Sequence, residues 1–160
     1  MTRMMGLGAT MTCMYDPSPV DGLAVRLRGG RNLSRALCLR EPVKPFADVV
    51  VDYLVEVQDS GLQVSVGVIS LSGDGLSGFL RGLAEDYRGW AGARQWRSLE
   101  DQMSIEASHD GRGHVTLMFR LRERVYGDHW DLSVPFVVEA GAEMTALADA
   151  VEVFFASVLP

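Results

Sequence analysis

Residues 49–89 read VVVDYLVEVQDSGLQVSVGVISLSGDGLSGFLRGLAEDYRG, and this stretch decides the fold. In its first half Val49, Val51, Tyr53, Val55 and Val57 alternate with Asp52 and Glu56. Leu62, Val64, Val66 and Val68 then alternate with Gln63 and Ser65. A period of two puts each apolar set on one face of a strand, so both runs are half-buried strands. Pairing Val57 with Leu62 brings the two sets together across the loop Gln58-Asp59-Ser60-Gly61, where Gly61 supplies a left-handed residue. A slip of one residue would bury Gln63 and Ser65, so burial pins the register. In the second half the period changes. Leu76, Phe79, Leu80, Leu83 and Tyr87 recur at the spacing of one helical face. Ser72 or Asp74 is the expected N-cap and Gly89 the stop, which predicts a helix over about 74–88. Gly78 and Gly82 weaken that helix by about 1 kcal/mol each relative to Ala and leave room for close packing on a sheet.

The same rules organise the flanks. Leu23, Val25 and Leu27 alternate with Ala24, Arg26 and Arg28; Gly29-Gly30-Arg31-Asn32 is a turn, and residues 33–39 return as a strand. Pro42 and Pro45 break the chain there. Downstream, residues 103–109 and 114–122 form a hairpin. With Asp110 opposite His114, Met103, Ile105, Ala107 and His109 share a face with Val115, Leu117, Phe119 and Leu121. Gly113 then takes the left-handed place in a three-residue loop. Trp130, Leu132, Val134, Phe136 and Val138 make a last strand, which Pro135 marks as an edge or a bulge. A helix over about 141–157 buries Met144, Leu147, Ala148, Val151, Phe154 and Phe155. The order strands, helix, strands, helix predicts an α+β fold: a largely antiparallel β-meander of about six to seven strands with two helices (about 74–88 and 141–157) on one face. Asp52, Glu56, Ser65, Glu106, Thr116 and Arg120 are expected on the opposite, solvated face.

Residues 1–20, which hold five of the eight methionines and end in Asp16-Pro17-Ser18-Pro19, read as a disordered leader. Residues 21–160 read as a single globular α+β domain. Cys13 and Cys38 have no metal-type spacing and read as free thiols in a reducing compartment. No apolar run approaches membrane length, so the expectation is a cytoplasmic protein without a membrane partner. Residues 1–45 carry a net charge of +4 and residues 46–160 a net of −10, for −6 overall. An acidic body argues against a nucleic-acid partner, since phosphate neutralisation needs clustered cations, and it suits a partner with a basic surface.

Little in the chain points to catalysis. His109, His114 and His129 with Asp110, Asp128 and Asp131 are the residue types of a metal site, but the hairpin register sends His109 and His114 to opposite faces. No metal and no cofactor is expected. Ser70, Ser72 and Ser77 flank a Gly-rich turn that matches neither a nucleophile elbow nor a phosphate loop, and helix capping accounts for them. The adjacent pairs Glu85-Asp86 and Glu100-Asp101 diverge and read as solvated. One cluster of binding-type residues remains: Arg88, Trp90, Arg94, Trp96 and Arg97. Tryptophan and arginine dominate binding hot spots, although a Trp after a helix stop also packs back on its helix with Arg over its ring.

The helix end Leu-Ala-Glu-Asp-Tyr-Arg-Gly-Trp at 83–90 is followed by Trp96, by His109-Asp110-Gly111 with Gly113-His114-Val115, and by Glu139-Ala140-Gly141. In this combination the chain resembles a bacterial family known only as a domain of unknown function, over residues 22–156. More distantly the layout is similar to the WapI-type immunity proteins, small antidotes that bind and block a cognate secreted toxin. That likeness implies a non-enzymatic protein-binding domain and, given the acidic body, a basic toxin as partner. The alternative is a small-ligand-binding or regulatory module with a pocket between helices and sheet. Neither resemblance carries catalytic residues, and the sequence leaves the oligomeric state open.

Overall fold

The computed structural model describes residues 24–29, 34–123 and 129–160. Four strands, β1 (Ala24–Arg28), β2 (Ala36–Val43), β3 (Val50–Asp59) and β4 (Leu62–Leu71), form a first antiparallel sheet in that order. A left-handed turn and helix α1 (Leu76–Glu85) lead into a second, β5 (Ala93–Arg97), β6 (Met103–His109), β7 (His114–Arg122) and β8 (Asp131–Glu139), again antiparallel and in chain order. Helix α2 (Ala142–Ala156) closes the chain. The α+β class and antiparallel pairing hold, but the single meander of six to seven strands is corrected to two four-stranded sheets. The chain does not hairpin back after β4; α1 intervenes, and no ladder joins β4 to β5.

Both sheets turn their apolar faces toward one core. Leu27 and Leu39 from the first sheet, Ile105 and Phe119 from the second, Leu76 and Leu80 from α1 and Leu147 and Val151 from α2 surround the same gap of about 10 Å³. Both helices therefore pack into a core that the two sheets share. Arg81 of α1 clips them together on the solvent side, donating to Asp149 at 2.6 Å and to Glu152 at 2.8 Å on α2. The buried stripe of α2 is the one its periodicity predicts: Met144, Leu147, Ala148, Val151, Phe154 and Phe155. Phe154 and Phe155 meet Tyr53 of β3 edge-to-face at centroid distances of 5.9 and 5.5 Å. Burial pushes the Tyr53 phenol far above its ordinary pKa, and the charge of Asp74 adds to the effect.

The hairpin registers follow burial, with two corrections. β3 and β4 pair Asp59 with Leu62 and Val57 with Val64 around a two-residue Ser60-Gly61 turn, not Val57 with Leu62. The shift is two residues, so every side chain keeps its face, and the loop tightens to a two-residue turn. Gly61 has φ 71°, as the turn requires. β2 runs on through Pro42 to Val43, because a register shift between Arg40 and Val43, with Glu41 at φ 54°, absorbs the proline as a bulge. The β6–β7 register is the expected one, His109 opposite Val115, and Gly113 is left-handed at φ 96°. Pro135 lies in β8, an edge strand.

The first helix is shorter than its periodicity suggests. Residues Ser72–Gly75 form a turn in which all four have positive φ, from 51° to 79°, so α1 starts only at Leu76. No side chain caps α1. Instead the Asp74 carboxylate accepts the N–H of Leu71 at 2.9 Å and that of Leu99 at 2.8 Å, stapling the end of β4 to the β5–β6 loop. Ser70 is buried and donates to the Val51 carbonyl at 2.9 Å. A Cβ at Gly78 or Gly82 would meet nothing within 4 Å, so these glycines do not serve close packing.

Cys38 is buried on β2 and disulfide-bonded, which corrects the free-thiol reading there and removes its support for a reducing compartment. Cys13, the leader 1–20 and most of the 29–32 turn lie outside the described residues. Among the described residues, no helix is long and apolar enough to cross a membrane.

Candidate interaction site

The segment from the end of α1 through β5 carries all five candidate residues, and the structure divides them three ways. Asp86 closes the helix through its N–H to the Gly82 carbonyl at 3.2 Å, and Gly89 donates to the Asp86 carbonyl at 2.8 Å. The chain then passes tightly over His109 of β6. Gly89 sits at φ 116°, and a Cβ there would come within 3.0 Å of the His109 ring. This close approach exposes Tyr87, which periodicity had placed in the core; it is 50% exposed. Helix α1 ends two residues earlier, so the apolar stripe no longer extends to it.

Three of the five residues gather at this crossing. The Trp90 ring packs on His109 at 5.3 Å, inclined by 64°. Arg94 of β5 lies over the Trp90 ring, with Cζ 4.7 Å from its centroid. Its guanidinium is held there by Asp86 at 2.7 Å. Arg88 turns to its neighbour Tyr87, donating to the phenol oxygen at 3.2 Å. The His109 tautomer follows from its partners: Nδ1 accepts the Gly111 N–H at 2.9 Å, so Nε2 carries the hydrogen and donates to the Tyr87 carbonyl at 3.0 Å. The result is a surface patch of Tyr87, Arg88, Trp90 and Arg94, locked from beneath by histidine and glycine.

Trp96 is elsewhere. It is 8% exposed, belongs to the core, and its indole donates to the Asp74 carbonyl at 2.9 Å, fastening the left-handed turn. Arg97, one residue on, points to the opposite side of the second sheet. There it lines a cavity of about 520 Å³ with Gln95, Ser104, Glu106, Met118, Arg120 and Arg122. Sequence reading missed this basin because β5, a five-residue strand with one buried side chain, was not recognised. The signal was the alternation of Arg97 and Gln95 with Trp96, matched by Arg120 and Met118 on β7.

The histidine–aspartate candidates do not converge. Asp110 accepts the backbone N–H groups of His114 at 3.0 Å and Arg112 at 2.6 Å, and the His114 ring lies 3.3 Å away. These N–H bonds, His114 first, hold the Asp110 carboxyl below its ordinary range. His109 is committed to Tyr87 and Gly111. Asp131 pairs with Arg122 at 2.7 Å, and Asp128 lies outside the described residues. Among the described residues no three His, Cys, Asp or Glu side chains are grouped as a metal site would need.

A model of a family of unknown function, DUF6228, matches residues 29–158. The chain belongs to that family. The match covers both sheets beyond β1 and both helices, so patch and basin alike lie inside the DUF6228 region. No curated protein and no solved structure matches the chain.

Proposed function

We propose that this DUF6228 domain is a non-enzymatic protein-binding module that neutralises a basic toxin, in the manner implied by its distant likeness to the WapI-type immunity proteins. The observation that supports this reading is the Tyr87–Arg88–Trp90–Arg94 patch. Arg94 is pinned by Asp86 and stacked on Trp90, and Trp90 is seated on His109, so little side-chain freedom is left to lose on binding. Rigid aromatic and arginine side chains are the usual anchors of interfaces. Beyond the patch, the excess of acidic residues over residues 46–160 would steer a cationic partner and speed its capture.

The test is co-expression of the domain with secreted basic toxins of its host. Relief of toxicity with a stoichiometric complex is expected. Arg88→Glu and Arg94→Glu should each weaken that complex at least about tenfold while leaving the melting temperature within a few degrees. Protection that survives both substitutions would remove the patch from the interface. Failure to protect against any host toxin would remove the immunity reading itself.

A further inference from the structure

The basin on the outer face of the second sheet brings together two arginines that have no carboxylate ion-pair partner among the described residues. Arg97, Ser104, Arg120 and Ser133 stand in one cross-strand row: Arg97 pairs with Ser104, Ser104 with Arg120, and Arg120 with Ser133. Side chains in one such row project to the same face, so the two guanidiniums flank the Ser104 hydroxyl with their backbones about 10 Å apart. Five other arginines of the described residues are neutralised: Arg35 by Asp59, Arg40 by Glu56, Arg81 by Asp149 and Glu152, Arg94 by Asp86, and Arg122 by Asp101 and Asp131. Arg97 and Arg120 have no carboxylate within ion-pair distance among the described residues, although the chain holds 21 acidic residues against 15 basic ones. Arg120 donates to the Ser133 hydroxyl at 3.4 Å, and its charge also reaches Asp131.

Two carboxylates also line the basin, and each has a partner of its own. Glu106 accepts from Gln95 at 2.8 Å, and Asp101 and Asp131 are both held by Arg122. Met118 lies beside Glu106 in the next row and gives the basin an apolar flank.

We propose that this basin binds the phosphate group of a small organic phosphomonoester. The phosphate sits between Arg97 and Arg120, each guanidinium donating two N–H bonds, and accepts the Ser104 hydroxyl. The organic part lies against Met118. Asp101 and Glu106 in the lining, with Asp131 beside Arg122, repel a polyanion such as a nucleic-acid backbone more than one compact dianion. The proposal goes beyond the protein-binding reading and does not depend on it: the patch and the basin lie on opposite faces of β5.

The experiment is a titration of the full chain, followed by amide chemical shifts, with three probes: phenyl phosphate, inorganic phosphate and a single-stranded oligonucleotide. Saturable shifts on β5, β6 and β7 are expected with phenyl phosphate, and weaker ones with inorganic phosphate. Arg97→Gln and Arg120→Gln should each reduce the affinity at least about tenfold, while Arg112→Gln, an exposed arginine on the β6–β7 loop, should leave it unchanged. All three side chains are exposed, so the variants should keep the wild-type melting temperature. Inorganic phosphate binding as tightly as phenyl phosphate would remove the organic part of the ligand. No saturable shift with either phosphate, equal losses in all three variants, or binding of the oligonucleotide alone would overturn the proposal.

Discussion

Gly89 shows how much one missing side chain does here. Its positive φ and its approach to His109 are both needed to carry the chain from α1 to the Trp90 stack. Gly89→Ala adds a strained left-handed alanine and forces the imidazole from its seat between Gly111 and Tyr87. The expected cost is about 1–3 kcal/mol, read from urea unfolding, with loss of the Trp90–His109 contact. An unchanged midpoint would show that His109 yields without penalty. The glycine's role as a helix stop was legible from its position after a periodic run. Its closeness to His109 was not, because nothing local in residues 79–96 announces a strand 20 residues downstream. Tyr87 was misread for a related reason: periodicity extrapolates a stripe but does not say where a helix ends. The two tryptophans, alike in composition terms, separated only when β5 placed Trp96 inward.

At the scale of elements, long regular stripes were legible and short irregular ones were not. α2 repeats its apolar residues over four turns, and that stripe is the one buried. β6 and β7 carry both a complete alternation and a loop whose glycines match its geometry. β5 offers five residues and one buried side chain, too little for a period. The left-handed turn Ser72–Gly75 was hidden for another reason: Ser-Gly-Asp-Gly is also an ordinary helix-start composition, and what selects the alternative is distant. Asp74 bonds to Leu99 and Trp96 bonds to Asp74, contacts 25 and 22 residues apart. Asp74→Ala should therefore destabilise the fold by about 1–3 kcal/mol although the side chain caps no helix. Asp74→Asn, which keeps one acceptor, should recover part of the loss in the same denaturation assay. Equal loss in both variants would point to the charge rather than the bonds.

For the molecule as a whole, acid is the condition that should loosen it. Three carboxyls are held below their ordinary pKa: Asp110 by the His114 and Arg112 N–H groups, Asp131 by Arg122, and Glu139 by the Gly141 and Glu143 N–H groups at the start of α2. A pKa depressed by folding contributes stability that is fully present above the ordinary values of 3.8 for Asp and 4.5 for Glu, and is lost as pH falls through the folded values. The urea midpoint should thus be level above about pH 5 and fall steadily below about pH 4, and Glu139→Gln should flatten part of that slope. A midpoint constant down to about pH 2.5 would contradict it. The split into two sheets belongs to this scale as well. Alternation tells each strand which face to bury, but it is silent on where a run of antiparallel neighbours stops, since each sheet alone satisfies it.

The staple through Asp74 also orders events in time. Each sheet pairs only sequence neighbours, so both can assemble from local hairpins at low loop-closure cost. The turn cannot be rewarded until β5 and the residues after it arrive from the second sheet. Its consolidation is therefore expected after the rate-limiting step. Asp74→Ala should accelerate unfolding and leave the refolding rate nearly unaltered, the signature of a clasp that closes last.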